Sequence, residues 1–303
     1  MEWSLSHVVQ NEFITQINGI SLTIKREDQL HPMISGNKFR KLKYNLNTYD
    51  PSKYNGIVTF GGAYSNHLVA TAAAGKLMGI KTHGFVRGEE LVSQERNPSL
   101  AFCEQHGMQL HFLSRGDYRQ KESATVVQSF LNRANYFLLP EGGTNPQAIK
   151  GCTEILTPKD AAFDTICCSV GTGGTFMGLL NSAQAHQHLL GFQAVNDSSV
   201  VQWITESPKT PNRYSLLDDH LYGGYGKASN ELVQFINSFH KEYKILLDPL
   251  YTGKLLFGIF ALIKNKQWRW GKKVLIIHTG GIQGIEGFNQ QQKLKGKVCI
   301  DLL

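Results

Sequence analysis

Short apolar runs alternate with helix-period stretches along most of this chain. Ile57-Val58-Thr59-Phe60 predicts a strand, and the small-residue stretch over 66–78 predicts a helix that ends at Gly79. A strand near 82–86, a helix near 98–106, a strand over 109–113, a helix over 121–133 and a strand over 136–139 complete a first series. A second series has a strand over 165–170, a helix after Gly174, a strand over 190–195, helices near 231–241 and 253–264, and a strand over 274–278. Closer to the start, Phe39, Leu42 and Leu46 recur on one face of a helix that opens near Lys38. This strand–helix alternation predicts an α/β fold with mostly parallel sheets covered on both faces. In such sheets ligands sit beyond the carboxyl ends of the strands. Four segments fall there: 61–67, 141–145, 171–175 and 279–281.

Length and composition narrow the picture. A chain of 303 residues, 41% hydrophobic and 18% charged, can bury the cores of two modest domains. The formal charge of +7 is spread without a basic run, so nucleic acid is not an expected partner. Five cysteines without CxxC spacing read as reduced, buried thiols, and no Cys/His cluster has metal-ligand spacing, so no metal is expected. The apolar run over 255–263 is too short to span a membrane, and Met1-Glu2-Trp3-Ser4 does not open a secretory leader. A cytoplasmic enzyme without membrane contact is the expectation.

Three strings carry the chemistry. Lys38 lies in Ser35-Gly36-Asn37-Lys38-Phe39-Arg40-Lys41, where Gly36 and Asn37 can cap the helix. An amine in a first helical turn feels the positive end of the dipole, which opposes protonation, and a lysine of lowered pKa can form a Schiff base near neutral pH. A solvated surface lysine, like its neighbours Arg40, Lys41 and Lys43, is the plainer alternative. Gly171-Thr172-Gly173-Gly174-Thr175 lies between a strand and a helix, so its amides can converge on a phosphate; a simple tight turn is the other reading. Ser65-Asn66-His67 follows Gly61-Gly62-Ala63-Tyr64; Ser65 and Asn66 can cap a helix, or serve as an acid/base hydroxyl and a ring-hydroxyl partner. Thr252 and Thr279 can each offer a hydroxyl to a heterocyclic nitrogen, or cap a helix or a strand-end turn. There is no Gly-x-Ser-x-Gly elbow for a serine hydrolase and no Gly-x-Gly-x-x-Gly after the first strand for a dehydrogenase.

Together these strings resemble the pyridoxal-phosphate enzymes of fold type II, specifically the 1-aminocyclopropane-1-carboxylate deaminase and D-cysteine desulfhydrase family. The resemblance runs from Ile24-Lys25-Arg26-Glu27-Asp28 to His278-Thr279-Gly280-Gly281 and includes Glu141-Gly142-Gly143-Thr144-Asn145. It implies two three-layer α/β domains, a larger cofactor-binding one from 1–44 and 150–303 and a smaller one from 45–149, with pyridoxal phosphate between them. It implies Lys38 as the covalent anchor, Ser65 and Tyr251 as catalytic companions, and Asn66 on the cofactor ring. The phosphate would lie on Gly171, Thr172, Gly173, Gly174 and Thr175. Threonine at 252, after Tyr251, is similar to the desulfhydrase form; the ring-opening deaminases carry glutamate there. Hydroxyls alone, from Thr252 and Thr279, suggest a less electron-withdrawing ring, suited to loss of a good leaving group. Two positions depart from the family: Tyr64 stands where glutamine is usual, and His220 where a tyrosine is usual. With His67, they are the expected substrate-side residues. The reading is a homodimeric lyase or deaminase acting on a small amino acid. Its rivals are a deaminase of the ring-opening kind, a racemase, a β-replacement catalyst, or a cofactor-binding module without turnover.

Overall fold

The computed structural model describes residues 9–207, 213–218, 224 and 226–302. The chain opens with β1 (Asn11–Ile17), β2 (Ile20–Lys25) and α1 (Asn37–Asn47). Then come β3 (Ile57–Gly61), α2 (Asn66–Met78), β4 (Thr82–Arg87), α3 (Pro98–Gln105), β5 (Met108–Leu113), α4 (Arg115–Gln120), α5 (Thr125–Leu131) and β6 (Phe137–Leu138). α6 (Pro146–Cys152), β7 (Thr165–Val170), α7 (Gly174–Ser182), β8 (His188–Gln193), α8 (Ser198–Glu206) and β9 (Arg213–Leu217) follow. α9 (Asn230–Tyr243), α10 (Thr252–Lys264), β10 (Lys273–Ile277) and α11 (Ile285–Leu294) close the fold.

The strands form two sheets. The larger has the order β1-β2-β10-β7-β8-β9 and is parallel except for β1; the smaller, β5-β4-β3-β6, is wholly parallel. The apolar runs of the sequence are explained by double-sided burial. In the larger sheet Cys167, Leu190, Val274 and Ile276 face one core, while their neighbours Ile166, Cys168, Leu189, Leu275 and Ile277 face the other. Alternate residues therefore enter two different cores, and the middle of each strand is apolar on both faces.

α1 packs against α6 and α2. Its Phe39, Leu42 and Leu46 join Leu30, Ile34, Ile57, Ala70 and Ala73 in one buried cluster. Each large side chain there contributes about 1.5–3 kcal/mol of burial. The stretch 37–44, grouped with the larger unit by sequence, thus turns its apolar face to the smaller one.

Several elements differ from the pattern-based expectation, and α6, α8, β9 and α11 were not among those it gave. The stretch 121–133 is no continuous helix: Lys121 has φ 51, and the chain breaks there into α4, a short 3₁₀ turn and α5. The β1–β2 hairpin was not read from periodicity, although Asn18 and Gly19, with φ 50 and 77, are the residues a two-residue hairpin turn favours. Among the described residues no helix is long and apolar enough to cross a membrane.

Candidate active site

The carboxyl ends of both sheets open on one cavity of about 880 Å³. All four segments singled out by their position after strands contribute to its wall, through Ser65, Gly142, Thr172 and Thr279 among others.

Lys38 lies in the first turn of α1, and the turn is fixed from two sides. Gly36, the residue before the helix, has φ 62, and a Cβ there would stand 2.0 Å from the Thr279 carbonyl oxygen. Only glycine suits that conformation and that close approach. The cap differs from the expected one: Asn37 is already helical, its N–H donates to Thr279 O (3.2 Å), and its side-chain amide donates to Thr175 Oγ1 (2.8 Å). The start of α1 is thereby tied to β10's exit and to the 171–175 loop. Lys38 Nζ sits 3.4 Å from the Gly142 carbonyl oxygen. Burial in the cavity wall, and then the charge of Lys41, hold this amine well below its ordinary value.

Lys41, passed over in the sequence as a solvated neighbour, is buried with its amine on the same wall. It donates to Gly142 O (2.9 Å), Thr144 Oγ1 (3.0 Å) and Thr172 Oγ1 (3.3 Å). The spacing of three from Lys38, which puts both on one helical face, was the available signal. Burial lowers this amine as well.

Gly171, Thr172, Gly173 and Thr175 line the cavity, with Gly173 at φ 80 as the residue before α7; Gly174 stands behind them. An anion placed here meets the amino end of α7 and the Lys41 amine together.

Ser65 meets both descriptions offered by the sequence. It caps α2, accepting the Leu68 N–H at 3.3 Å, and it lines the cavity. The cap uses a lone pair and leaves the hydroxyl hydrogen to donate. Asn66 accepts from Gln283 Nε2 at 2.9 Å, and Tyr64 accepts from Gln291 Nε2 at 2.7 Å, so both are stitched to the α11 region. His67 is buried. Its Nε2 lies 2.8 Å from Thr59 Oγ1, whose own hydrogen goes to Leu139 O. His67 Nε2 must therefore be the donor, which leaves Nδ1 an acceptor, without a partner among the described residues. Burial, then Lys38 and Lys41, keep this ring neutral.

Tyr251 lines the cavity beside Gly171, and Thr279 lines it at the end of β10. Thr252 does not reach it. Its hydroxyl donates to Asp248 Oδ1 at 2.6 Å, its N–H reaches the same oxygen at 2.8 Å, and the side chain is buried. The geometry that caps α10 takes Thr252 away from the cavity. His220 lies outside the described residues. Among those residues no group of three His, Cys, Asp or Glu could hold a metal.

The wall suits a phosphorylated aldehyde. Besides the amines and the glycine loop, two residues of the wall carry a buried polar atom with no hydrogen-bond partner among the described residues, His67 Nδ1 and Ser169 Oγ. Ser169 ends an apolar strand and gave no sign in the sequence.

Known proteins agree. A family model described as pyridoxal-phosphate dependent enzyme matches residues 6–280. The chain is similar to a bifunctional D-cysteine desulfhydrase/1-aminocyclopropane-1-carboxylate deaminase of Arabidopsis thaliana, 28% identical over 92% of this chain and 77% of the relative. A putative 1-aminocyclopropane-1-carboxylate deaminase of Thermotoga maritima is 30% identical over 91% of this chain and 93% of the relative. A crystal structure of an ACC deaminase homologue superposes with TM-score 0.80 at 25% identity, covering 97% of this chain and 94% of that one. Maize serine racemase shares the fold, with TM-score 0.66 at 17% identity over 95% of this chain and 93% of that one. The chain belongs to the pyridoxal-phosphate dependent enzymes of fold type II, within the 1-aminocyclopropane-1-carboxylate deaminase and D-cysteine desulfhydrase family, and pyridoxal phosphate is its cofactor.

Proposed function

We propose that this enzyme removes the α-proton of a small amino acid and expels a β-substituent, with D-cysteine and water giving pyruvate, ammonia and sulfide. The observation that carries the reading is the water-poor Lys38 amine, held on the wall shared by the 171–175 loop, Ser65 and Thr279. When bound, pyridoxal phosphate supplies an aldehyde that takes up an amine and a ring that spreads carbanion charge. Lys38 is the anchor, and its amine, disposed toward the neutral form by burial and by the charge of Lys41, can hold the α-proton. Gly171, Thr172, Gly173 and Thr175, with Gly174 behind, and the Lys41 amine bind the phosphate. Asn66 and Thr279 hold the ring. Ser65 donates its hydroxyl hydrogen to the substrate carboxylate, with Tyr251 as companion, and Tyr64 and His67 border the substrate.

The ring-side chemistry supports elimination over ring opening. Asp248 is occupied by the N–H groups of Leu250, Tyr251 and Thr252 and by the Thr252 hydroxyl, and it does not line the cavity. The lining there offers hydroxyls. A second reading, ring opening of 1-aminocyclopropane-1-carboxylate, is favoured by the name of the Thermotoga relative. Keto acid release from D-cysteine, L-cysteine and the cyclopropane substrate separates the two. We further take the working unit to be a cytoplasmic homodimer, from the family resemblance, which sedimentation and fractionation test.

The anchor is tested directly. Lys38→Ala should lose the near-visible absorbance of the cofactor-loaded protein together with turnover; a variant that keeps the band refutes the assignment.

A further inference from the structure

At about 880 Å³ the cavity is near the upper end of ordinary small-ligand pockets, roughly 300–1,000 Å³. Its outer rim is formed mainly by the smaller unit, with Asp197 from the larger one, and the charges there do not balance. Three carboxylates face the rim, and each is committed. Glu90 pairs with Arg115 at 3.3 Å. Glu141 pairs with Lys121 at 3.0 Å and accepts the Tyr118 hydroxyl at 2.5 Å. Asp197 accepts the Ser199 N–H and hydroxyl at 3.0 and 2.6 Å. Two further rim cations, Arg87 and Arg119, have no carboxylate partner among the described residues. Arg87 ends β4, on the side where the strands deliver ligands. Its Nη2 lies 4.0 Å from where a Cβ on Gly62 would stand, and its guanidinium lies 5.9 Å from the centre of the Tyr118 ring. It thus reaches over the turn that leads into Ser65.

We infer that, beyond D-cysteine itself, the enzyme prefers a cysteine or serine derivative whose β-substituent carries a second anionic group, and that Arg87 binds that group. This rests on the proposed function, in which Ser65 and the amino end of α2 already serve the α-carboxylate. A guanidinium fork matches the paired oxygens of a carboxylate or phosphate, and a neutral substituent would leave Arg87 over the Tyr118 ring without an anion. Arg119 adds to the attraction at the rim.

The test uses the cofactor-loaded enzyme and two isosteric substrates, S-carboxymethyl-cysteine and S-carbamoylmethyl-cysteine, in both enantiomers, with O-phosphoserine to try the second oxyanion. The carboxymethyl substrate should be preferred roughly tenfold to a hundredfold in kcat/KM, mainly through KM. Arg87→Gln should bring that ratio close to one while keeping the near-visible band. Equal use of the isosteres by the native enzyme, a ratio unchanged in Arg87→Gln, or equal losses on all substrates including D-cysteine would each overturn the inference. The band reads cofactor binding separately, so failure of the wider functional reading shows as no keto acid from any of the substrates while the band is present.

Discussion

Lys38 and Lys41, one helical turn apart on α1, aim their amines at a single acceptor, the Gly142 carbonyl oxygen, at 3.4 and 2.9 Å. Two cations sharing one carbonyl in a water-poor wall repel each other, so the arrangement favours a neutral Lys38 and an anion beside Lys41. The site is built around a charge that the ligand brings.

Lys41→Met should raise the apparent Kd for pyridoxal phosphate by roughly tenfold to a hundredfold, the loss expected for a charge-assisted bond. Binding of pyridoxal, which has no phosphate, should change far less. Absorbance titration of cofactor-free protein compares the two, and equal losses would remove Lys41 from the phosphate site.

The pH dependence follows from the same burial. The folded value of Lys38 is lowered by burial and then by Lys41, and that of Lys41 by burial. Between each folded value and the ordinary 10.5, the unfolded chain binds more protons. Below the ordinary thiol range these two amines should therefore make the cofactor-free protein gain stability as pH rises and lose it as pH falls; above it the buried thiols Cys103, Cys152, Cys167 and Cys168, pushed up by burial, act in the opposite direction. Urea midpoints measured between the histidine and thiol ranges should climb with pH, and Lys38→Met should flatten the climb. An unaltered slope in that variant would contradict the buried amine.

Thr252 and Thr279 should behave differently. Thr252→Val removes the hydroxyl that Asp248 accepts and should cost about 1–3 kcal/mol of stability, with the cofactor spectrum unaltered. Thr279→Val should shift the spectrum or the cofactor affinity at little cost in stability, because Thr279 lines the cavity. Thermal melts and absorbance spectra of the pair decide it; the opposite assignment would follow from the reverse pattern.

Gly36→Ala should be severe. The added methyl meets the Thr279 carbonyl, and φ 62 is itself strained for alanine. A loss of about 3 kcal/mol or more is expected, with weaker cofactor binding because the start of α1 moves. A melting temperature within a degree of the native protein would show that the turn relaxes freely.

Much of this site was legible in one dimension. Strand-ends are where ligands bind in parallel sheets, and the 61–67, 141–145, 171–175 and 279–281 segments were found by that rule alone. Lys41 and Ser169 were missed because their sequence neighbourhoods are ordinary: one sits in a basic helix start, the other at the end of an apolar strand. Thr252 was placed on the cofactor because a hydroxyl next to Tyr251 has the right chemistry. Its side chain instead serves the cap of α10.

The order of residues by itself determined the α/β class and the strand ends that line the cavity, since periodicity and glycine placement are local properties. Tertiary structure decided which side chains lose water. Burial depends on segments far apart in the chain meeting, as Asn37 meets Thr175 and Lys41 meets Gly142. Loss of water lowers an amine's pKa, and burial leaves His67 Nδ1 and Ser169 Oγ without a hydrogen-bond partner among the described residues, properties that only the three-dimensional packing sets.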